Sequence, residues 1–357
     1  MPRSTRAPRS VRAPRLALAT AAALATLAGL GSVPAAAKPA PGTTTGTGQV
    51  FKVNPVQATG DETLTDGKDA ASAVPASAYA TVALRNLDGS GYLSGRWAAV
   101  RSETGTPVHS ATGDFRFTRD ADQFEQVMAY FWVNEAQEYL QGLGFGSELR
   151  GANDRVQNVR LNQWGSDNSF FTDKKDEIRF GKGGVDDAED AEVIVHEYGH
   201  AVHEAQVPGF GASPEAGAIG EAFGDYLAVA VGDAASARYG WTSRTPEACV
   251  ADWDSTGYTD GPVHCLRRLD TGKVYADRVG EVHADGEIWS QALYDIRTAL
   301  GARTADRIIV NAQFSFAPDT DFSAAALATV ATARQMYGDQ AAATVRQAFA
   351  ARQIPGM

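Results

Sequence analysis

Catalytic potential is concentrated in one pentapeptide, His196-Glu197-Tyr198-Gly199-His200. On a helix, histidines four residues apart project from one face, separated by about 40° around the axis and about 6 Å along it. That spacing lets both imidazoles reach a single tetrahedral Zn²⁺, while Glu197 stands beside the ion within reach of its water. The flanks favour a helix. Ala191-Glu192-Val193-Ile194-Val195 precedes the motif, Ala201-Val202 continues it, and no proline occurs from Ala188 to Val207.

A catalytic zinc needs a third protein ligand and a position left for water. The candidate is Glu221, in Gly217-Ala218-Ile219-Gly220-Glu221-Ala222-Phe223-Gly224-Asp225. Two antiparallel helices with a short connection would bring it opposite His200. Asp225, one turn on, would accept the free N–H of a ligating imidazole, His196. His203 shares the ligand face a turn further along and reads as core or as support behind the ligands. His109 and His264 have no partner pattern. His283 differs, lying in Glu281-Val282-His283-Ala284-Asp285-Gly286 directly before a strong helical pattern. A histidine at a helix entrance can donate a hydrogen bond to a developing oxyanion, with Glu281 or Asp277 to orient it.

In order and spacing, these residues resemble the gluzincin endopeptidases of the thermolysin-like and fungalysin-like groups, which join HExxH to a downstream Glu-x-x-x-Asp and a later histidine. Gly217-Ala218-Ile219-Gly220-Glu221-Ala222 looks like the thermolysin-type glutamate helix. Val282-His283-Ala284-Asp285-Gly286-Glu287-Ile288-Trp289 is closer to the fungalysin pattern. The resemblance runs from roughly Asp120 to the C-terminus and is strong at the three motifs. It implies an α+β, two-lobed zincin with a β-rich N-terminal lobe, a mainly helical C-terminal lobe and the active site between them.

The resemblance further implies that His196, His200 and Glu221 are zinc ligands and that Glu197 is the general base. Asp225 would orient a ligand and His283 would stabilise the transition state. Asn168 and Ser169, at the start of a substrate-binding edge strand, would hold peptide backbone. Arg267 or Arg268 would contact a substrate carbonyl. The activity implied is that of a secreted zinc endopeptidase acting on proteins or peptides. Alternatives are an aminopeptidase or narrow processing peptidase on the same scaffold, and a non-catalytic, zinc-containing exported binding protein. Two departures stand out. Gly220 replaces the Asn that thermolysin-like enzymes place before the ligand glutamate, and no Tyr lies between Tyr198 and Tyr226 to act as a second oxyanion donor. The acidic run Asp186–Glu192 is a candidate Ca²⁺ loop, with Glu192 where the thermolysin-like group has a calcium-binding Asp.

The elements that must position these residues are legible in outline. Residues 1–37 have the layout of a secretory signal peptide: Arg3, Arg6, Arg9, Arg12 and Arg15, then an Ala/Leu-rich run, then Ala35-Ala36-Ala37. A Pro/Thr/Gly linker is expected over 38–50. A β-rich lobe over 51–207 should end in the catalytic helix, and a helical lobe should occupy 208–357. Phe51 to Phe117 reads as short strands, and 120–143 as a helix with a broad apolar face. A strand pair is expected around Asn168–Phe171 and Glu177–Phe180. Later helices are expected over 218–231, 286–300, 304–311, 322–337 and 341–351. Cys249 and Cys265, the only cysteines, should form a disulfide in an exported chain. The net charge is −11 although the leader is basic, so the exported part is acidic and unsuited to nucleic acid. The expected protein is extracellular, monomeric and free of the membrane once the leader is cleaved.

Overall fold

A helix covered on every side forms the buried axis of the N-terminal half. Helix α2 (Gln123–Gly142) has every residue from Phe124 to Leu140 buried, its apolar residues together with Glu125, Gln126, Asn134, Glu135, Gln137 and Glu138. In the computed structural model, residues 42–101, 106–259, 261 and 263–357 are described. The expected signal peptide lies outside them.

Strand β1 (Thr44–Phe51) packs on α2 and pairs antiparallel with β2 (Tyr79–Leu87) and parallel with β4 (Asp114–Phe115). This corrects the expected linker, since β1 occupies most of residues 38–50. Its inward positions include Gly46, Gly48 and Val50. The period-2 pattern is therefore carried by glycines, which a hydropathy reading does not register. A Cβ on Gly48 would come within 2.8 Å of Val127 Cγ1, so the strand lies against α2 at backbone distance. Between β2 and β4 the chain is less regular than expected, with only the short β3 (Ala98–Val100); a single-turn helix, α1 (Pro55–Thr59), precedes β2.

A second sheet has the order β3-β5-β7-β6, with β5 (Gln157–Arg160), β6 (Ser169–Thr172) and β7 (Glu177–Phe180). β3, β5 and β7 are parallel; β6 runs antiparallel to β7 with Ser169 opposite Phe180. β6 is thus an edge strand, as the sequence suggested, and it lies beside helix α3 (Ala191–Gln206).

After α3 the chain is mainly helical: α4 (Pro214–Tyr239), α5 (Val282–Leu300), α6 (Ala302–Gln313) and α7 (Phe322–Ala351). α4 is longer than expected at both ends. Ser213 Oγ caps it by accepting from Ala216 N–H at 3.1 Å, Pro214 opens the first turn, and Gly240 closes it at φ +69°. α5 starts four residues early because the Glu281 carboxylate accepts from the N–H groups of His283 and Ala284. Within α7, Gly338 at φ +82° separates the two helices expected there. Between α4 and α5, β8 (Cys249–Val250) pairs with β9 (Arg267–Arg268), and the Cys249–Cys265 disulfide closes the intervening loop. The architecture is mixed α/β, with strands in the N-terminal region and helices dominating the C-terminal region.

The entrance to α3 is held by a buried ion pair. Arg119, 0% exposed, donates through Nε and Nη2 to Glu189 at 2.8–3.0 Å and through Nη2 to Asp66 at 2.6 Å. Removing the guanidinium would leave Glu189 buried without its cation. Arg119→Leu is expected to lower stability by about 3–5 kcal/mol, measured as a reduced urea midpoint with an unchanged slope.

Candidate metal centre and cleft

Helices α3 and α4 approach at two glycines. A Cβ on Gly199 would fall 2.8 Å from Gly224 Cα, and one on Gly224 would fall 2.6 Å from His196 Nδ1. Only side-chain-free positions allow this separation, and it sets the reach of everything on the facing surfaces. His196 Nδ1–H donates to Asp225 Oδ1 at 2.8 Å. With that proton committed, His196 Nε2 presents its lone pair to the space shared by His200 and Glu221.

Three donors converge there. His196 Nε2 lies 3.2 Å from His200 Nε2 and 3.2 Å from Glu221 Oε2, and His200 Nε2 lies 3.6 Å from Glu221 Oε1. Two nitrogens held about 2.05 Å from one tetrahedral ion would be about 3.3 Å apart, so the spacing fits zinc. Glu221 Oε2 is buried and has no hydrogen-bond partner of its own, as a ligand oxygen awaiting a cation would be. The donor set, two imidazoles and one carboxylate, is that of an open catalytic zinc site.

Comparison with known proteins bears on the fold. Residues 209–354 match the family described as thermolysin metallopeptidase, alpha-helical domain. The structure is similar to the precursor of protealysin, a metalloproteinase from Serratia proteamaculans. The TM-score is 0.51, the identity is 19%, and the match covers 72% of this chain and 85% of that one. The C-terminal part of the chain is thus similar to the helical domain of thermolysin-type metallopeptidases. No curated protein matches it by sequence. The likeness to protealysin carries the fold, and the family match supports a zinc metalloprotease.

Asp225 is clamped from its far side. Arg267 on β9 donates Nε to Oδ2 and Nη2 to Oδ1, both at 2.7 Å. Burial raises the Asp225 pKa, but Arg267 and His196 more than offset it, leaving the carboxyl at about 2. Through Nε and Nη2, Arg267 positions the carboxylate that positions His196, and it also lines the cleft. Arg268 turns away, pairing with Asp270 at 2.7 Å, and does not line the cleft.

Glu197 is 6% exposed, and its Oε2 has no hydrogen-bond partner. Burial, reinforced by the charge of Glu221, pushes its carboxyl up to about 7, against the pull of His196 and the Phe171 N–H of β6. His283 sits in the first turn of α5. Its Nδ1 lies 2.6 Å from Glu281 Oε1, and its Nε2 lies 3.3 Å from Glu221 Oε2. Glu281 therefore orients it. Asp277, the other candidate, instead accepts from Val274 N–H.

Two hollows of about 510 and 580 Å³ both border Asn168, Ser169, His196, Glu197 and His283. They form one groove extending to either side of Glu197. Asn168 turns its carbonyl to Gly181 N–H and Trp164 Nε1, both at 3.1 Å, while the Ser169 hydroxyl donates to Asp187. Gly220 leaves His200 without a neighbouring amide, since a Cβ there would still lie 3.8 Å from His200 Nδ1. Tyr258 is the tyrosine lining the groove among the described residues, and its hydroxyl donates to Asp254 at 2.8 Å. His203 is core, packed between Phe210 and Phe223 with ring centroids 4.3 and 4.6 Å away. His264 meets Glu62 at 3.0 Å and His109 meets the Tyr92 ring, both away from the centre.

The expected calcium loop is largely satisfied by protein donors. Glu189 is held by Arg119, Asp190 accepts from Glu192, Trp253 and Asp254 N–H groups, and Glu192 accepts from Gln57 and Ala251. Of that run, Asp187 keeps a buried carboxylate oxygen without a partner. Sequence reading passed over Asp187 as a cleft residue, and passed over Asp167 and Asp254 altogether. The acidic run did flag the first, but nothing in the spacing of the other two pointed to the groove.

The glycine crossing has a direct consequence. Gly199→Ala places its methyl against the Gly224 backbone, which cannot rotate away. It is expected to cost about 1–3 kcal/mol, read as a fall in the urea midpoint.

Proposed function

We propose that this protein is a secreted, zinc-dependent endopeptidase with Glu197 as its general base. The observation that carries the reading is the convergence of His196, His200 and Glu221 beside the buried Glu197 carboxylate, whose Oε2 has no partner, in an open groove. Bound by those three residues, zinc would polarise the scissile carbonyl and lower the pKa of a water from 15.7 to about 7. Glu197 takes the proton of the attacking water and passes it to the leaving amine. His283, steered by Glu281, donates from Nε2 to the oxyanion. The unpaired edge of β6 offers main-chain groups to an extended peptide, so Asn168 and Ser169 begin a strand-addition surface.

The groove continues past Glu197 in both directions, which favours cleavage within a chain over removal of a terminal residue. The intact Glu197 argues against a purely binding role, for which that carboxylate has no use. The Arg-rich, then Ala/Leu-rich leader supports export. No described helix is long and apolar enough to cross a membrane.

Glu197→Gln is expected to retain zinc by elemental analysis and to lose at least about 100-fold in kcat. Unimpaired hydrolysis of casein by that variant would refute the mechanism. Asp225→Asn should weaken zinc binding by about 10–100-fold in competition with a chromophoric chelator. Peptides blocked at both termini should be cleaved, and cleavage confined to free-amine peptides would replace the endopeptidase reading with the aminopeptidase one.

A further inference from the structure

One of the two hollows beside Glu197 has an acidic floor that the reaction just described does not use. Asp167, Asp187 and Asp254 bring carboxylate oxygens within 4.8 Å of one another, although they come from three separate segments of the chain. Asp187 is 2% exposed and Asp254 4%. Each spends one oxygen on a neighbouring hydroxyl, Ser169 and Tyr258 respectively, and each leaves Oδ1 buried with no partner. Both residues line the hollow. Among the described residues Arg267 is the only lysine or arginine on its wall, and its Nε and Nη2 are held by Asp225. Buried carboxylates that repel one another and lack a cation are costly, so this arrangement is built to receive positive charge.

The shape says what kind. Val193, Val250 and Leu266 share the wall with the acids, and the hollow of about 510 Å³ opens onto His196 and Glu197. A bare ion needs far less room and no apolar wall. A lysine or arginine side chain uses both, laying its methylene stem on the apolar surface and its charged head on the acids. Resting on the peptidase reading above, we propose that this hollow is a specificity pocket for a cationic side chain, so that the enzyme selects peptides carrying Lys or Arg next to the scissile bond.

The test compares kcat/KM on two peptides blocked at both ends, identical except for Lys or its neutral isostere norleucine beside the cleaved bond. Blocking keeps a terminal amine from occupying the pocket. The Lys peptide should be preferred at least about tenfold, as a charge-assisted hydrogen bond in a buried site implies. The ratio should fall towards one in the double variant Asp187→Asn, Asp254→Asn. Asp167→Asn, at an exposed position, should lower the ratio in the same direction if the buried pair proves too unstable to purify. In parallel, saturation-transfer NMR with n-butylammonium on the full-length Glu197→Gln protein should show binding that the double variant loses and that n-pentanol does not show.

Equal rates on the two peptides with no butylammonium signal would overturn the pocket and leave the peptidase reading standing. No cleavage of either peptide, with a butylammonium signal that the double variant abolishes, would keep the pocket and sink the peptidase reading. Saturable Ca²⁺ binding lost in the double variant, without any preference for Lys, would overturn the proposal in favour of a metal site.

Discussion

The close approach of α3 and α4 at Gly199 and Gly224 is the constraint on which the centre depends. Each helix alone presents its residues correctly: His196 and His200 on one face of α3, Glu221 and Asp225 on one face of α4. They become a site only because the two backbones meet without intervening side chains. A side chain between the two helices would push them apart and break the 2.8 Å bond between His196 and Asp225. That bond decides which imidazole nitrogen carries the proton, and so which nitrogen is free to bind a metal.

The remaining elements of the centre are supports for that geometry. Arg267 reaches Asp225 from β9, two residues beyond a disulfide that closes the β8–β9 loop. Glu281 caps α5 and in the same act turns His283 towards Glu221. Arg119 holds the loop that feeds α3, so the N-terminus of that helix is fixed from outside the site. The ionic arrangement is uneven. Asp225 has Arg267 as a cationic partner, whereas Asp187 and Asp254, lining the same hollow as Arg267, have only hydroxyls. In a medium of low polarity that difference leaves the acidic part of the hollow suited to positive charge.

Some differences between expected and observed elements have a common cause. β1 was hidden because its inward positions are partly glycines, whose role is to let strand and helix touch. α4 was read short because its first and last turns are polar or glycine-bounded, and its caps rather than its apolar residues mark its ends. The opposite held for α2 and for the break in α7 at Gly338, where apolar periodicity and a lone glycine gave the right elements.

By itself the sequence determined the helical motif, the pairing of Glu221 with Asp225, the separate histidine at the start of α5 and the disulfide partners. These depend on local spacing or on there being only two cysteines, and local spacing is what a helix converts directly into shared faces. Only the tertiary structure decided that Arg267 grips Asp225 while Arg268 turns away, that Glu281 rather than Asp277 steers His283, and that Asp167, Asp187 and Asp254 meet at all. Neighbouring residues on a two-residue strand point to opposite sides of it, and residues distant in sequence are brought together by packing. Neither outcome is written in any periodicity along the chain.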